Sequence, residues 1–180
     1  MDELLDILNE EGEKTGKAMK SEAHRLGLLH RGAHVYIINS QKQLLLQKRA
    51  KSKAGYPGLW FMSAGGHIAS GETSLEAAQK EVREELGFDL PFSMFTLLFT
   101  MRFPIIKHND NFIDNEFGDI YLVRSDVALL EVKFPIREVE EVKWINIKDF
   151  EKLVNARDLT LVPNWEEYKK LLEYLKNEKI

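Results

Sequence analysis

A chain of 180 residues is long enough to bury a substantial core, and 44% hydrophobic with 30% charged residues is the balance of a folded globular protein. A formal net charge of −4 excludes the basic excess that polyanion-binding surfaces carry, so no nucleic-acid partner is expected. The sequence contains no cysteine, which excludes disulfides, thiolate metal sites and cysteine nucleophiles.

In chain order, the acidic start Met1-Asp2-Glu3-Leu4-Leu5-Asp6 lacks the basic region and apolar core of a secretory signal. No apolar run reaches bilayer-spanning length, so the expected address is the cytoplasm, with no membrane partner. Leu4 to Leu8 reads as a short strand, Asn9 to Gly12 as a turn, and a second extended piece leads to a helical stretch near Ser21 to Leu26. Ala33 to Ile38 is β-branched and aromatic, a buried strand, and Leu44 to Lys48 returns as its hairpin partner after a turn at Asn39 to Lys42. A loop with Gly55, Pro57 and Gly58 follows, then Ala64-Gly65-Gly66-His67. Thr73 predicts an N-cap, Glu76 completes a capping box, and a helix runs from Ser74 to Leu86 with Gly87 as its stop. Strands are expected at Met94 to Phe103, Gly118 to Val123 and Val139 to Ile145, and helices at Ile147 to Asn155 and Trp165 to Asn177. This alternation predicts an α/β sandwich.

Chemistry concentrates on the helix after the glycines. At roughly 100° per residue, Glu81, Glu84 and Glu85 share one face. Leu75, Ala78, Val82 and Leu86 form the neighbouring apolar stripe, so the carboxylates stand at the edge of the buried face. Like charges at this spacing oppose the helix by about 0.2–0.5 kcal/mol per pair. Lys80 and Arg83 offset part of that, and a hard cation such as Mg²⁺ or Mn²⁺, which takes several oxygen ligands, would offset more. The plainer reading is a solvated acidic face. Glycines just before the helix favour the cradle, because their backbone groups can approach a metal or a phosphate.

Gly66, five residues, Glu72, seven residues, then Lys80-Glu81-Val82-Arg83-Glu84-Glu85-Leu86-Gly87-Phe88 resembles the Nudix box. The one departure is Lys80, where the family pattern has an arginine that braces the early glutamate, here Glu72. Lysine keeps the charge without the bidentate fork, so the loop is expected to be held less rigidly. The resemblance implies a single Nudix domain over residues 1–180, an α/β/α sandwich around a central mixed β-sheet. Residues 1–30 would form an N-terminal hairpin and helical extension, and 66–88 the box. It also implies Glu81, Glu84, Glu85 and the Gly65 carbonyl as metal ligands, Mg²⁺ or Mn²⁺ as cofactor, and a small-molecule diphosphate as substrate. Nudix proteins often dimerise, and a homodimer stays open.

Most of the chain also resembles isopentenyl-diphosphate isomerase, itself of the Nudix superfamily. The matching pieces are Asp2-Glu3, Ala23-His24, Leu29-His30-Arg31, Gln47-Lys48-Arg49-Ala50, Lys53, Tyr56 to Trp60 and Gly66-His67. That resemblance implies a second metal site from His24, His30, His67, Asp114 and Glu116, diphosphate contacts from Arg49 and Lys53, and Trp165 in the active site. Its catalytic cysteine has no counterpart, because Gly65 stands at that position. The resemblance therefore implies a hydrolase on an isomerase-like scaffold, with isomerisation disfavoured. A non-catalytic nucleotide-binding module is the third reading, although the box glutamates are all present.

Glu81 and Glu84 carry the catalytic expectation, with Glu116 as general base and Glu138, Glu140 and Glu141 as rivals for that role. His34 and His108 match nothing and read as structural. For Tyr56, Trp60 and Phe61, core packing is weighed above stacking on a substrate. The stretch Phe103 to Phe117, where specificity is expected to reside, contains no legible motif.

Overall fold

The computed structural model describes residues 2–129 and 132–178. Eleven strands and four α-helices are labelled here in chain order. Strands β1 (Leu4–Leu8) and β2 (Lys14–Met19) pair antiparallel and lead into helix α1 (Lys20–Leu26), the expected hairpin and helix. The main sheet contains β3 (His30–Ile38), β4 (Gln43–Arg49), β5 (Trp60–Phe61), β6 (Ala64–His67), β7 (Phe95–Arg102), β10 (Glu116–Arg124) and β11 (Val139–Asn146). Its order is β11-β4-β3-β10-β7, with β5 paired to β4 and β6 paired to β3. Only β3 and β10 run parallel among these pairs, so the sheet is mixed.

Strand alternation sorts the core into two layers. Tyr36, Ile38, Leu44, Leu46, Ile120 and Leu122 face α3 (Ile147–Ala156) and α4 (Trp165–Asn177), meeting Phe150, Val154, Tyr168, Leu171 and Leu175. Ala33, Val35, Ile37, Leu45, Tyr121 and Val123 face the other way, onto Ala77, Ala78, Val82 and Leu86 of α2 (Ser74–Leu86). This is the expected α/β/α sandwich.

Two sequence expectations shift. Strand β3 begins at His30, three residues before the apolar run, because it pairs with Glu116 onward of β10. Within Phe103 to Phe117, β8 (Ile106–Asn109) and β9 (Phe112–Asp114) form a hairpin whose mixed polarity gave no alternating signal.

Candidate active site

Helix α2 starts where its sequence says it should. The Thr73 hydroxyl accepts from the Glu76 backbone N–H at 3.3 Å, and the Glu76 carboxylate accepts from the Thr73 N–H at 2.8 Å. That box fixes the helix next to β6, and the three glutamates then differ sharply in setting. Glu85 is 4% exposed. One of its oxygens accepts from Gln47 Nε2 at 2.7 Å and from the Gly65 N–H at 2.9 Å. Glu81 is half-buried, and its closest recorded cation is Lys80 Nζ at 3.9 Å. Glu84 is exposed at the rim. The shared face is real, but Glu85 lies deeper than an edge position because Gln47 and Gly65 supply hydrogen bonds inside the core.

Burial pushes the Glu81 carboxyl up to about 8, and the neighbouring Glu85 adds to the shift. Burial also raises Glu85, against the opposing pull of Lys53, Gly65 and Gln47. A buried and a half-buried carboxyl one turn apart, with no arginine on either, suit a hard divalent cation. Carboxylate and carbonyl oxygens are the donors that Mg²⁺ and Mn²⁺ prefer. A testable consequence concerns stability in EDTA. An acid raised in the folded state holds a proton that the unfolded chain has released, so stability falls as pH rises from 4.5 towards 8. Glu81→Gln is expected to flatten that fall, relative to the native chain, by on the order of a few kcal/mol at pH 8. Thermal melts between pH 5 and 8 would measure it; parallel curves for the two proteins would refute it.

The glycines are required by close approach. A Cβ on Gly66 would stand 2.5 Å from the Glu81 carboxylate carbon. One on Gly65 would stand 2.8 Å from the Ala33 carbonyl oxygen and run into the Met62 side chain. Lys80 bridges the Glu72 and Glu3 carboxylates at 3.0 and 3.1 Å, tying box loop and N-terminal segment together. A bidentate fork on Glu72 alone would not do both.

These groups line one cleft of about 560 Å³, which also takes in Arg49, Lys53, His24, His67, Asp114 and Glu116. Arg49 Nε donates to the Gly55 carbonyl at 2.8 Å, shaping the loop that carries Lys53. Lys53 pairs with Glu138, which lines the cleft as well. Glu140 is turned to Lys48 at 2.9 Å, and neither it nor Glu141 lines the cleft.

Beside the glutamates, His24, His30, His67 and Glu116 bring one ligand-capable atom each to within 4.8 Å of one another. His24 Nε2 and His67 Nε2 face each other at 2.9 Å, and His30 Nε2 is 3.1 Å from Glu116 Oε1. The outer nitrogens of two rings are anchored: His24 Nδ1 donates to the Ile113 carbonyl at 3.2 Å and His30 Nδ1 to the Leu28 carbonyl at 2.8 Å. Such anchoring is how metal-binding imidazoles are oriented. His67 Nδ1 is buried without a hydrogen-bond partner among the described residues. Burial lowers His67 to about 4. Burial would raise Glu116, but bonds from His30 and His67 hold it well below the usual carboxylate range.

Asp114 is not brought into this cluster. It lies on the other side of His24, 3.4 Å from Nδ1, and accepts from His108 Nε2 at 2.7 Å. Trp165 is not among the cleft-lining residues; half-buried at the start of α4, it packs edge-on to Tyr168 against the core. Phe61 and Tyr56 do reach the cleft, whereas Trp60 lies under Lys143 Nζ at 3.7 Å. Sequence reasoning missed Glu3, Lys20, His34 and Met62 as cleft residues, because each lies outside the box and carries no spacing signal.

Fold and site together define a sandwich enzyme whose acidic helix and glycine-bearing strand β6 open onto a cleft that also holds Arg49 and Lys53. The NUDIX domain family matches residues 28–165, and the chain belongs to that family as a Nudix hydrolase. It is 38% identical over 166 residues to Nudix hydrolase 3 of Arabidopsis thaliana, covering 90% of this chain and 22% of that much longer protein. It is 33% identical over 181 residues to isopentenyl-diphosphate Delta-isomerase 2 of Photorhabdus laumondii, covering 100% of this chain and 96% of that one. A crystal structure from Deinococcus radiodurans shares the fold with a TM-score of 0.70 at 24% identity, over 93% of this chain and 98% of that one.

Proposed function

We propose that this chain is a divalent-metal-dependent hydrolase that cleaves the diphosphate linkage of a nucleoside diphosphate derivative. The observation that carries the reading is the pair of half-buried Glu81 and buried Glu85, set against the glycines of β6 and sharing one cleft with Arg49 and Lys53. Glu81, Glu84, Glu85 and the Gly65 carbonyl would hold Mg²⁺ or Mn²⁺. When bound, the metal neutralises charge on phosphate oxygens and makes water a better nucleophile.

The chain's own residues do the rest. Arg49 and Lys53 bind and orient the diphosphate, the arginine by paired donors and the lysine as a point charge. We assign proton acceptance to Glu116, whose Oε1 is held by His30 and His67 while Oε2 lies beside Gly32 of β3. Of its rivals Glu138, Glu140 and Glu141, Glu138 is the one that lines the cleft. The cluster of His24, His30, His67 and Glu116 would hold a second cation, with Asp114 orienting His24 from behind instead of ligating.

The isomerase reading draws on the Photorhabdus relative. Against it, the chain has no cysteine, and the Met62 side chain fills the space a residue at 65 would need.

The test is incubation with ADP-ribose, CDP, a dinucleoside diphosphate and isopentenyl diphosphate, with Mg²⁺ or Mn²⁺ and with EDTA. Nucleotide or phosphate release that EDTA abolishes is the expected result. Isomerisation of isopentenyl diphosphate would sink the reading, and nucleotide binding without any release would replace it with a non-catalytic module.

A further inference from the structure

His34 read as structural from the sequence, yet its ring forms part of the cleft wall. It stands on β3 directly across from Gly65 of β6. Phe103 stacks on it with centroids 5.2 Å apart, and Phe61 meets it edge-on at 5.4 Å. Behind it lies Glu167, in the first turn of α4 and 0% exposed. That carboxylate accepts from His34 Nδ1 at 3.0 Å, from the Tyr36 hydroxyl at 2.7 Å and from Asn164 Nδ2 at 3.0 Å. His34 Nε2 has no hydrogen-bond partner among the described residues and is not one of the fully enclosed unpartnered atoms. It is the ring atom left to the cleft.

A buried carboxylate with no arginine or lysine on it is a costly way to fill a core, where apolar side chains of similar volume usually stabilise as well or better. What this arrangement achieves is orientation. Glu167 keeps the proton on Nδ1 and fixes the ring plane, so that Nε2 points one way. Phe61 and Phe103 flank the ring, and Met62 and Val162 add apolar lining to the same cleft, which also holds the polar Arg49, Glu116 and Asn164. One fixed polar atom in an apolar, partly aromatic wall is how a pocket selects an organic group by a single hydrogen bond.

We propose that His34, positioned by Glu167, is a specificity-determining residue that hydrogen-bonds a polar atom on the organic group attached to the diphosphate. The ligand class is a nucleoside or sugar diphosphate, whose ring heteroatoms and hydroxyls can meet Nε2. An all-hydrocarbon prenyl diphosphate leaves Nε2 desolvated and unpaired, which the site penalises. The proposal rests on the diphosphate cleft assigned above and adds what sits beside the diphosphate.

The experiment is calorimetric binding in Mg²⁺ of two ligands that cannot be hydrolysed: the α,β-methylene analogue of ADP and the methylenediphosphonate analogue of isopentenyl diphosphate. The native chain should prefer the nucleotide analogue. His34→Phe, which keeps the aromatic stack, should reduce that preference by about tenfold to a hundredfold. His34→Gln, which returns a polar atom near Nε2, should restore part of it, and Glu167→Gln should weaken it in the same direction as His34→Phe. Thermal melts check that each variant folds, and the glutamine variant keeps the test open if His34→Phe does not. A preference kept within twofold in His34→Phe or lost equally in His34→Gln overturns the proposal, as does a native chain that shows no preference or binds neither ligand. Hydrolysis is measured separately. If no diphosphate is cleaved yet the preference still collapses, the hydrolase reading fails and this one stands.

Discussion

Glu84→Gln and Glu85→Gln are each expected to lower metal-dependent turnover by two to three decades, about 3–4 kcal/mol of transition-state stabilisation. The reason is charge, not shape. Each amide keeps the size of the carboxyl while removing the negative oxygen that a hard cation needs. The two variants should differ in everything except activity. Glu84 is exposed, so its change should leave the stability of the metal-free protein within the ordinary surface range of about 0.5 kcal/mol. Glu85 is buried, and both of its donors, Gln47 Nε2 and the Gly65 N–H, use one oxygen. A glutamine whose carbonyl takes that place keeps both bonds, and removal of a buried charge near Glu81 should stabilise the metal-free chain. Steady-state kinetics across a Mg²⁺ titration, paired with melts in EDTA, would check both halves. A Glu84→Gln enzyme with more than half its native turnover would remove that residue from the site.

The readable and unreadable parts of this protein divide by distance along the chain. The acidic face of α2 was legible because its three glutamates lie within five residues and one helical period orders them. The capping box and the Gly87 stop were legible for the same reason. The sandwich followed from strands whose alternate residues feed two layers, such as Tyr36 and Ile38 to one side and Val35 and Ile37 to the other. What escaped is made of distant pairs. His34 and Glu167 are 133 positions apart, and only the packing of α4 across the sheet brings them into contact. Asp114 read as a ligand beside the histidine cluster; the β8–β9 hairpin sets one of its oxygens 3.4 Å from His24 Nδ1 and the other on His108, a pairing no local spacing announces. Trp165 read as an active-site residue; at the start of α4 it is half-buried and packs against the core beside Tyr168. Resemblance supplied residue types at those positions; it could not supply the side of a ring on which a carboxylate comes to rest.

Gly66→Ala is the second large effect expected, a fall of about two decades in turnover with the fold intact. A methyl group at 66 would stand 2.5 Å from the carboxylate carbon of Glu81 and must displace it. Half-buried Glu81 can swing towards the cleft, so the strain falls on the position of the acid and little of it on the core. A ligand moved by an ångström or more no longer shares its cation with Glu85. The Mg²⁺ concentration for half-maximal activity should therefore rise together with the loss of turnover. Gly65→Cys makes the contrasting case. The new side chain would meet Met62 and the Ala33 carbonyl oxygen, which is backbone in the centre of the sheet and cannot yield. This change should cost stability, about 1–3 kcal/mol of overpacking, and should yield no isomerisation of isopentenyl diphosphate. Adding Met62→Ala should recover part of the stability by vacating the space, which separates crowding from any loss of chemistry. If Gly66→Ala retained native turnover and native Mg²⁺ dependence, Glu81 would have to act from a position other than the one it holds against Gly66 of β6.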